Sequence, residues 1–198
     1  MNTSARPLDF VPWALDLREI VVTLGPCTEA EFRHAHEYFS VLPQKTTLLW
    51  VHGPRLQRLL DQIQSTGLDV GPDGKGKQVW LAHGYAIARG DIDVIAQHDC
   101  DVVTYSRDFL ARLVYPVASP QLGYEFCKGY YSRVTDRLYG RVTRLFFTPL
   151  IRALMVMVGS RPSLDYYDSF RYPLAGEFAI TTDLARLNRV PADWGLEI

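Results

Sequence analysis

Val94-Ile95-Ala96-Gln97-His98-Asp99-Cys100-Asp101 is a mostly apolar run, long enough for one buried strand, that ends abruptly in two carboxylates one residue apart. Charge at the end of a buried strand is costly unless something cationic meets it. In α/β proteins that end of a strand opens onto the ligand crevice. Two carboxylates there suit a hard divalent cation, Mg²⁺ or Mn²⁺, and such an ion usually brings phosphates with it. The stretch therefore points to an α/β domain that handles a diphosphate through a metal at Asp99 and Asp101. Asp-x-Asp also marks turns and caps, so the alternative is one capping and one solvated aspartate. His98 is either a third ligand or a hydrogen-bonded structural group.

Upstream of this strand, helices and strands alternate. Glu19 to Leu24 reads as a strand. Thr28-Glu29-Ala30-Glu31 has the chemistry of a helix N-cap with acidic residues in the first turn, opening a helix that runs to about Phe39. Thr47 to His52 is a second strand, and Arg55 to Thr66 a helix with Leu56, Leu59, Leu60 and Ile63 on one face. After a glycine-rich loop, Lys77 to Ala88 is a third helix that feeds the Val94 strand. This βαβαβ-like order, built on apolar runs, predicts a mostly parallel sheet with helices on both faces.

Downstream the pattern loosens. Ser106 is placed to cap a helix through Val114, and Gly123 to Val134 looks strand-like. Val142 to Val158 reads as a long helix interrupted by Pro149. Phe178 to Thr181 is a short strand, and Asp183 starts a helix ending near Asn188. No internal repeat or linker separates the halves, so residues 1–198 read as one domain.

Composition excludes several classes. With 198 residues, 47% of them hydrophobic, the chain has a real core to bury and is not a disordered one. A net charge of -1 supplies no basic field for nucleic acid. The longest apolar stretches, such as Leu150 to Val158 with its Arg152, are too short for a membrane span. Met1 to Leu8 carry no apolar core of the signal-peptide type. Cys27, Cys100 and Cys127 are far apart, which fits neither a disulfide framework nor zinc and points to reduced thiols in the cytoplasm.

Three further constellations carry chemistry. Gly71-Pro72-Asp73-Gly74-Lys75-Gly76-Lys77 precedes a helix, where glycine lets backbone N–H groups approach an anion and Lys adds charge. It is not a Walker motif, and the alternative is a solvated turn. Gly140-Arg141-Val142-Thr143-Arg144, preceded by Arg133 and Arg137, suits a phosphate or carboxylate at a helix start, or else is a surface turn. Glu177 sits between Gly176 and an apolar strand, which makes it either a partner of Arg171 or an active-site group.

In order and spacing these residues resemble the GT-A fold nucleotide-sugar glycosyltransferases, and among them the glucosyl-3-phosphoglycerate synthase group. The resemblance rests on Gly74-Lys75-Gly76, Asp99-Cys100-Asp101, Lys128-Gly129-Tyr130-Tyr131 and Gly140-Arg141-Val142-Thr143. It continues through Pro173-Leu174-Ala175-Gly176-Glu177-Phe178 to Trp194-Gly195-Leu196-Glu197-Ile198. It implies a GT-A-like sheet, and nothing before Glu19 matches the family's opening strand, so a domain truncated at both ends is expected. Residues 19–101 would then be the nucleotide-sugar-binding half and 102–198 the acceptor-binding half.

The implied reaction is a retaining transfer of a hexose from a nucleoside-diphosphate donor, of the UDP-glucose or GDP-mannose type, to a small anionic acceptor such as 3-phosphoglycerate. By the same likeness Lys75 and Gly76 meet the donor, and Asp99 and Asp101 hold its ribose and the Mg²⁺ or Mn²⁺ on the diphosphate. Gly140, Arg141 and Thr143 receive the acceptor's phosphate or carboxylate, and Glu177 faces the sugar or acceptor as the catalytic carboxylate. A homodimer is a further expectation. The competing reading is a catalytically inactive transferase domain that serves as a binding or interaction module.

Overall fold

A computed structural model of the chain describes residues 17–102, 105–130 and 140–193. The described residues fall into two compact units, one of residues 17–95 with 180–193 and one of residues 96–179. The observed division lies inside a strand, and the chain comes back to the first unit at residue 180.

The first unit opens with strand β1 (Ile20–Leu24), helix α1 (Glu29–Phe39) and strand β2 (Thr46–Trp50). β1 and β2 are parallel, in a register that sets Ile20 opposite Thr46 and Leu24 opposite Trp50. Thr28 and Glu31 close a reciprocal capping box on α1: the Thr28 N–H donates to the Glu31 carboxylate at 2.7 Å and the Glu31 N–H to the Thr28 hydroxyl at 3.3 Å. Phe32 of α1 stacks on Trp50 of β2 at 5.0 Å. Helix α2 (Pro54–Ser65) starts on a proline, whose missing N–H costs nothing in the first turn. Val51, Leu60 of α2 and Leu81 of helix α3 (Lys75–Arg89) form the buried core, with Leu56, Val70 and Trp80 against it.

The start of β1 is held by one carboxylate. The Glu19 side chain is only 2% exposed. It accepts from the Tyr85 hydroxyl at 2.9 Å, from Arg89 at 2.6 Å and from the Thr47 hydroxyl, with Lys45 at 3.2 Å. These partners come from β2, its preceding loop and α3, so a single side chain pins three segments together. Burial pushes the Glu19 carboxyl up, but the hydrogen bonds from Thr47, Tyr85 and Lys45 outweigh it and hold it below its ordinary value.

The remaining strands are β3 (Val94–Gln97), β4 (Phe126–Lys128) and β5 (Phe178–Thr181), in the order β3-β5-β4. β5 is buried over Phe178, Ala179 and Ile180. Among the described residues β3 thus joins a sheet other than that of β1 and β2, where the sequence pattern alone predicts one continuous parallel sheet. Apolar runs identify strands without naming their partners, and β3 finds its partner far along the chain. The second unit also holds helices α4 (Arg107–Ala118), α5 (Thr148–Val158) and α6 (Pro162–Ser169), while α7 (Thr182–Leu187) belongs to the first.

Three expectations about elements change. Of the strand expected over Gly123–Val134 the structure shows the short β4, and its residues 131–134, like the expected anion-binding Arg133 and Arg137, lie outside the described residues. The helix expected over Val142–Val158 contains a π-turn at Thr143–Phe147, in which the Thr148 N–H reaches back to the Thr143 carbonyl. Pro149 explains it: with no N–H for the Leu145 carbonyl and a ring that crowds it, proline forces the preceding turn to widen. Helix α6 has no counterpart in the sequence reading. Among the described residues, no helix is long and apolar enough to cross a membrane.

Two buried ionisable groups give the fold its pH dependence. Replacing Glu19 by Gln removes one side of a buried charge network and is expected to destabilise the chain by about 3 kcal/mol. Because the folded carboxyl is held low, that stability is present above its ordinary range and is lost as pH falls through it. His83 is also buried, and burial pushes its imidazole down from 6.5 to about 4. The unfolded chain takes up this proton first, so stability falls from pH 6.5 to pH 4 by a total of about 3 kcal/mol. Urea melts from neutral pH downward check both effects: His83→Leu is expected to flatten the slope between pH 6.5 and 4, and Glu19→Gln to flatten it only below the ordinary carboxylate range.

Candidate functional site

In the first unit, Lys75 opens α3 and lines a cavity of about 330 Å³ with Pro26, Val51, His52, Asp73 and Gln78. Asp73 joins two side chains on this wall, accepting from Lys77 at 2.8 Å and meeting His52 Nε2 at 2.9 Å. The Lys77 ammonium first, and His52 after it, hold the Asp73 carboxyl below its ordinary range. The Lys77 side chain is buried at 7% exposure, so its charge is compensated where it lies. The sequence pattern points to Lys75 and Gly76 for the donor and names Asp73 and Lys77 as parts of the loop without giving them a role. The i,i+4 spacing of Asp73 and Lys77 was a usable signal. No local pattern marks His52, which reaches Asp73 only because β2 ends beside the loop.

In the second unit, β3 ends at Gln97 and the chain turns through Asp99, half-buried, to Asp101, exposed. The Gln97 side chain donates to the Gly176 carbonyl at 3.2 Å. This contact brings the approach to Asp99 beside the residue preceding Glu177, although the two contacting residues are 79 apart in sequence. Glu177 is 2% exposed, and its carbonyl accepts from the Gly129 N–H at 2.8 Å. A Cβ on Gly129 would lie 3.2 Å from that of Glu177, so the expected Lys128-Gly129 segment backs onto the main chain and Cβ of the expected catalytic residue. Arg171, a candidate partner for Glu177, lies over the Tyr130 ring at 5.5 Å.

His98 is packed edge-on against Tyr105 and Phe109, each 5.3 Å away. Burial lowers its pKa, and the Asp99 charge opposes that shift. Neither buried ring nitrogen of His98 has a hydrogen-bond partner, so the hydrogen-bonded structural group expected of it is not what the structure shows. Among the described residues, no group of three or more His, Cys, Asp and Glu side chains could hold a metal by itself. Two carboxylates at one turn nevertheless fit Mg²⁺ or Mn²⁺, which keep most of their coordination for water and substrate phosphates. The donor set is hard oxygen throughout, as those ions require.

Gly140, Arg141 and Thr143 stand at the start of the π-turn. Gly140 has φ +79°, Arg141 is exposed and Thr143 is 5% exposed. The Arg144 N–H closes the turn on the Gly140 carbonyl at 3.1 Å. Lys75 and Gly76 belong to the first unit, and Asp99, Asp101, Gly140, Arg141, Thr143 and Glu177 to the second. Tyr131 and the Trp194–Ile198 motif lie outside the described residues.

Comparison with known proteins follows the same outline. No family model matches the chain. It is 49% identical over 182 residues to the glucosyl-3-phosphoglycerate synthase of Persephonella marina, which is 92% of this chain and 45% of that protein. To the Methanococcoides burtonii protein of the same name it is 42% identical over 186 residues, again 92% of this chain and 45% of the relative. Among solved structures it is similar to glucosyl-3-phosphoglycerate synthase from Mycobacterium tuberculosis in complex with Mn²⁺ and UDP-glucose. That likeness has a TM-score of 0.54 at 22% identity, over 93% of this chain and 64% of the other.

The fold is therefore that of the GT-A nucleotide-sugar glycosyltransferases. In sequence the chain resembles the glucosyl-3-phosphoglycerate synthase group, and it spans about half the length of the curated relatives it matches.

Gly140 offers a direct test of the turn that carries Arg141. An L-residue at φ +79° is strained, so Gly140→Ala is expected to cost about 1–2 kcal/mol in denaturant melts. Unchanged stability would show that the turn does not need its left-handed residue.

Proposed function

We propose that this chain supplies the donor- and acceptor-binding residues of a retaining glucosyl-3-phosphoglycerate synthase, which moves glucose from UDP-glucose to 3-phosphoglycerate. The observation that carries the reading is the 49% identity to a synthase of that name over 92% of the chain, in a fold that sets Asp99-Cys100-Asp101 at the end of β3. A GDP-mannose type donor is the alternative within the same chemistry.

Asp99 and Asp101 would hold Mg²⁺ or Mn²⁺, which when bound neutralises charge developing on the leaving diphosphate. Asp99 also reaches the donor ribose. Lys75, on the wall of the first unit's cavity, meets the donor with its ammonium. Arg141 offers a planar fork of donors to the acceptor's phosphate or carboxylate, and Thr143 and Gly140 shape the turn around it. Glu177 faces the sugar or acceptor. Its burial keeps water from its carboxylate and makes any interaction with a hydroxyl or developing positive charge stronger than in solvent.

Calorimetric titration with UDP-glucose and Mn²⁺, followed by assay of UDP release on adding 3-phosphoglycerate, tests the reading. Asp101→Ala is expected to weaken metal-dependent donor binding at least a hundredfold. Arg141→Ala is expected to raise the acceptor KM at least tenfold and leave donor affinity unchanged. Absence of metal-dependent binding to UDP-glucose and GDP-mannose alike would overturn it, and acceptor binding without donor binding would mark a domain that binds and does not turn over.

A further inference from the structure

The amino terminus of α3 is already occupied by the chain itself. The Gly76 N–H donates to the Asp193 carbonyl at 3.0 Å, and the Lys77 N–H to the Ala192 carbonyl at 2.7 Å. The crossing is as close as glycine permits. A Cβ on Gly76 would lie 1.7 Å from the Pro191 carbonyl oxygen, and one on Gly74 2.5 Å from the Asp193 Cα. A Cβ on Gly71 would meet that of Ala192 at 2.5 Å. Three glycines of the loop therefore make room for residues 191–193.

This changes what the loop can do for an anion. The first N–H groups of a helix are the ones that bind oxyanions, and two of them here point at main-chain carbonyls. A phosphate arriving at those amides would have to break both bonds and displace oxygens that themselves carry negative charge. The nearby Lys77 ammonium is held by Asp73. Lys75 and Lys77 both line the cavity.

We propose that Pro191–Asp193 is a positioning strap: it takes the leading amides of α3 and holds the loop so that an anionic donor is met by the Lys75 side chain and not by the backbone. Gly76 is then a positioning residue for Lys75, acting through the strap. The second clause rests on the reading that Lys75 faces the nucleotide donor, whereas the seating of the strap does not.

Amide hydrogen exchange on the whole chain, with and without saturating UDP and Mn²⁺, tests it. The Gly76 and Lys77 amides are expected to exchange at least tenfold slower than unstructured ones, and to keep that protection when UDP binds. Lys75→Ala is expected to weaken UDP binding about tenfold with both amides still protected. Gly76→Ala is expected to free the Lys77 amide while those of Leu81 and Ala86 in the same helix stay slow, and to raise the Kd for UDP.

Fast exchange of these amides in the ligand-free chain would overturn the strap, and loss of their protection on adding UDP would show that the phosphates use the backbone. Protected amides in a chain that binds no nucleotide would support the strap and overturn the donor reading, so the two failures are distinct. If Gly76→Ala does not fold, the exchange of the unsubstituted chain with and without UDP still decides the matter.

Discussion

The main-chain pairing of β5 is the constraint on which the site depends. This strand is buried over Phe178, Ala179 and Ile180 and stands between β3 and β4. Buried backbone must be paired, and each end of β5 is tied accordingly. Just before it, the Gly176 carbonyl accepts from Gln97 and the Glu177 carbonyl from Gly129. Just after it, the Thr182 N–H donates to the Asp93 carbonyl at 2.9 Å, and the Thr182 hydroxyl to that of Ile92 at 2.8 Å. The strand thus aligns the turn carrying Asp99 with the segment carrying Glu177, and seats Lys128-Gly129 on the other side.

Charge compensation organises the first unit in the same way. Glu19 is buried at the start of β1 and satisfied by groups from β2, its preceding loop and α3. Asp73 joins His52 to Lys77 on the cavity wall. The two sites differ in purpose. Glu19 is enclosed and serves the fold, while Asp73 is 61% exposed and borders the space where Lys75 lies. A carboxylate in the latter setting holds a buried lysine in place without closing the cavity.

The elements read from local chemistry match the structure closely where a cap or an amphipathic face defines them. α1 begins at Glu29 because Thr28 and Glu31 make a capping box, and α7 begins at Thr182 on the Thr181 hydroxyl. β5 runs over the residues expected for it, Phe178–Thr181. The π-turn is not legible in the sequence even with Pro149 in view, because proline announces an irregularity without saying whether the helix breaks or widens. Helix α6 was missed because its polar composition leaves little periodic signal. The partners of β3 were missed because hydrogen-bonded pairing depends on chain return, which periodicity does not report.

For the site, the sequence by itself determined which chemistries are present. Two aspartates follow an apolar strand, a Gly-Lys-Gly loop opens a helix, and an arginine stands at a glycine turn. Residue type and neighbours suffice for that, since acidity, charge and backbone freedom are local properties. Only the tertiary structure decided what each group meets. It set Gly129 against Glu177, packed His98 between Tyr105 and Phe109, and filled the amides of Gly76 and Lys77 with carbonyls from residues 192 and 193. Glycine is chosen equally well for an approaching phosphate and for an approaching main chain, because both need the space of a missing Cβ. Which of them arrives is settled by the fold.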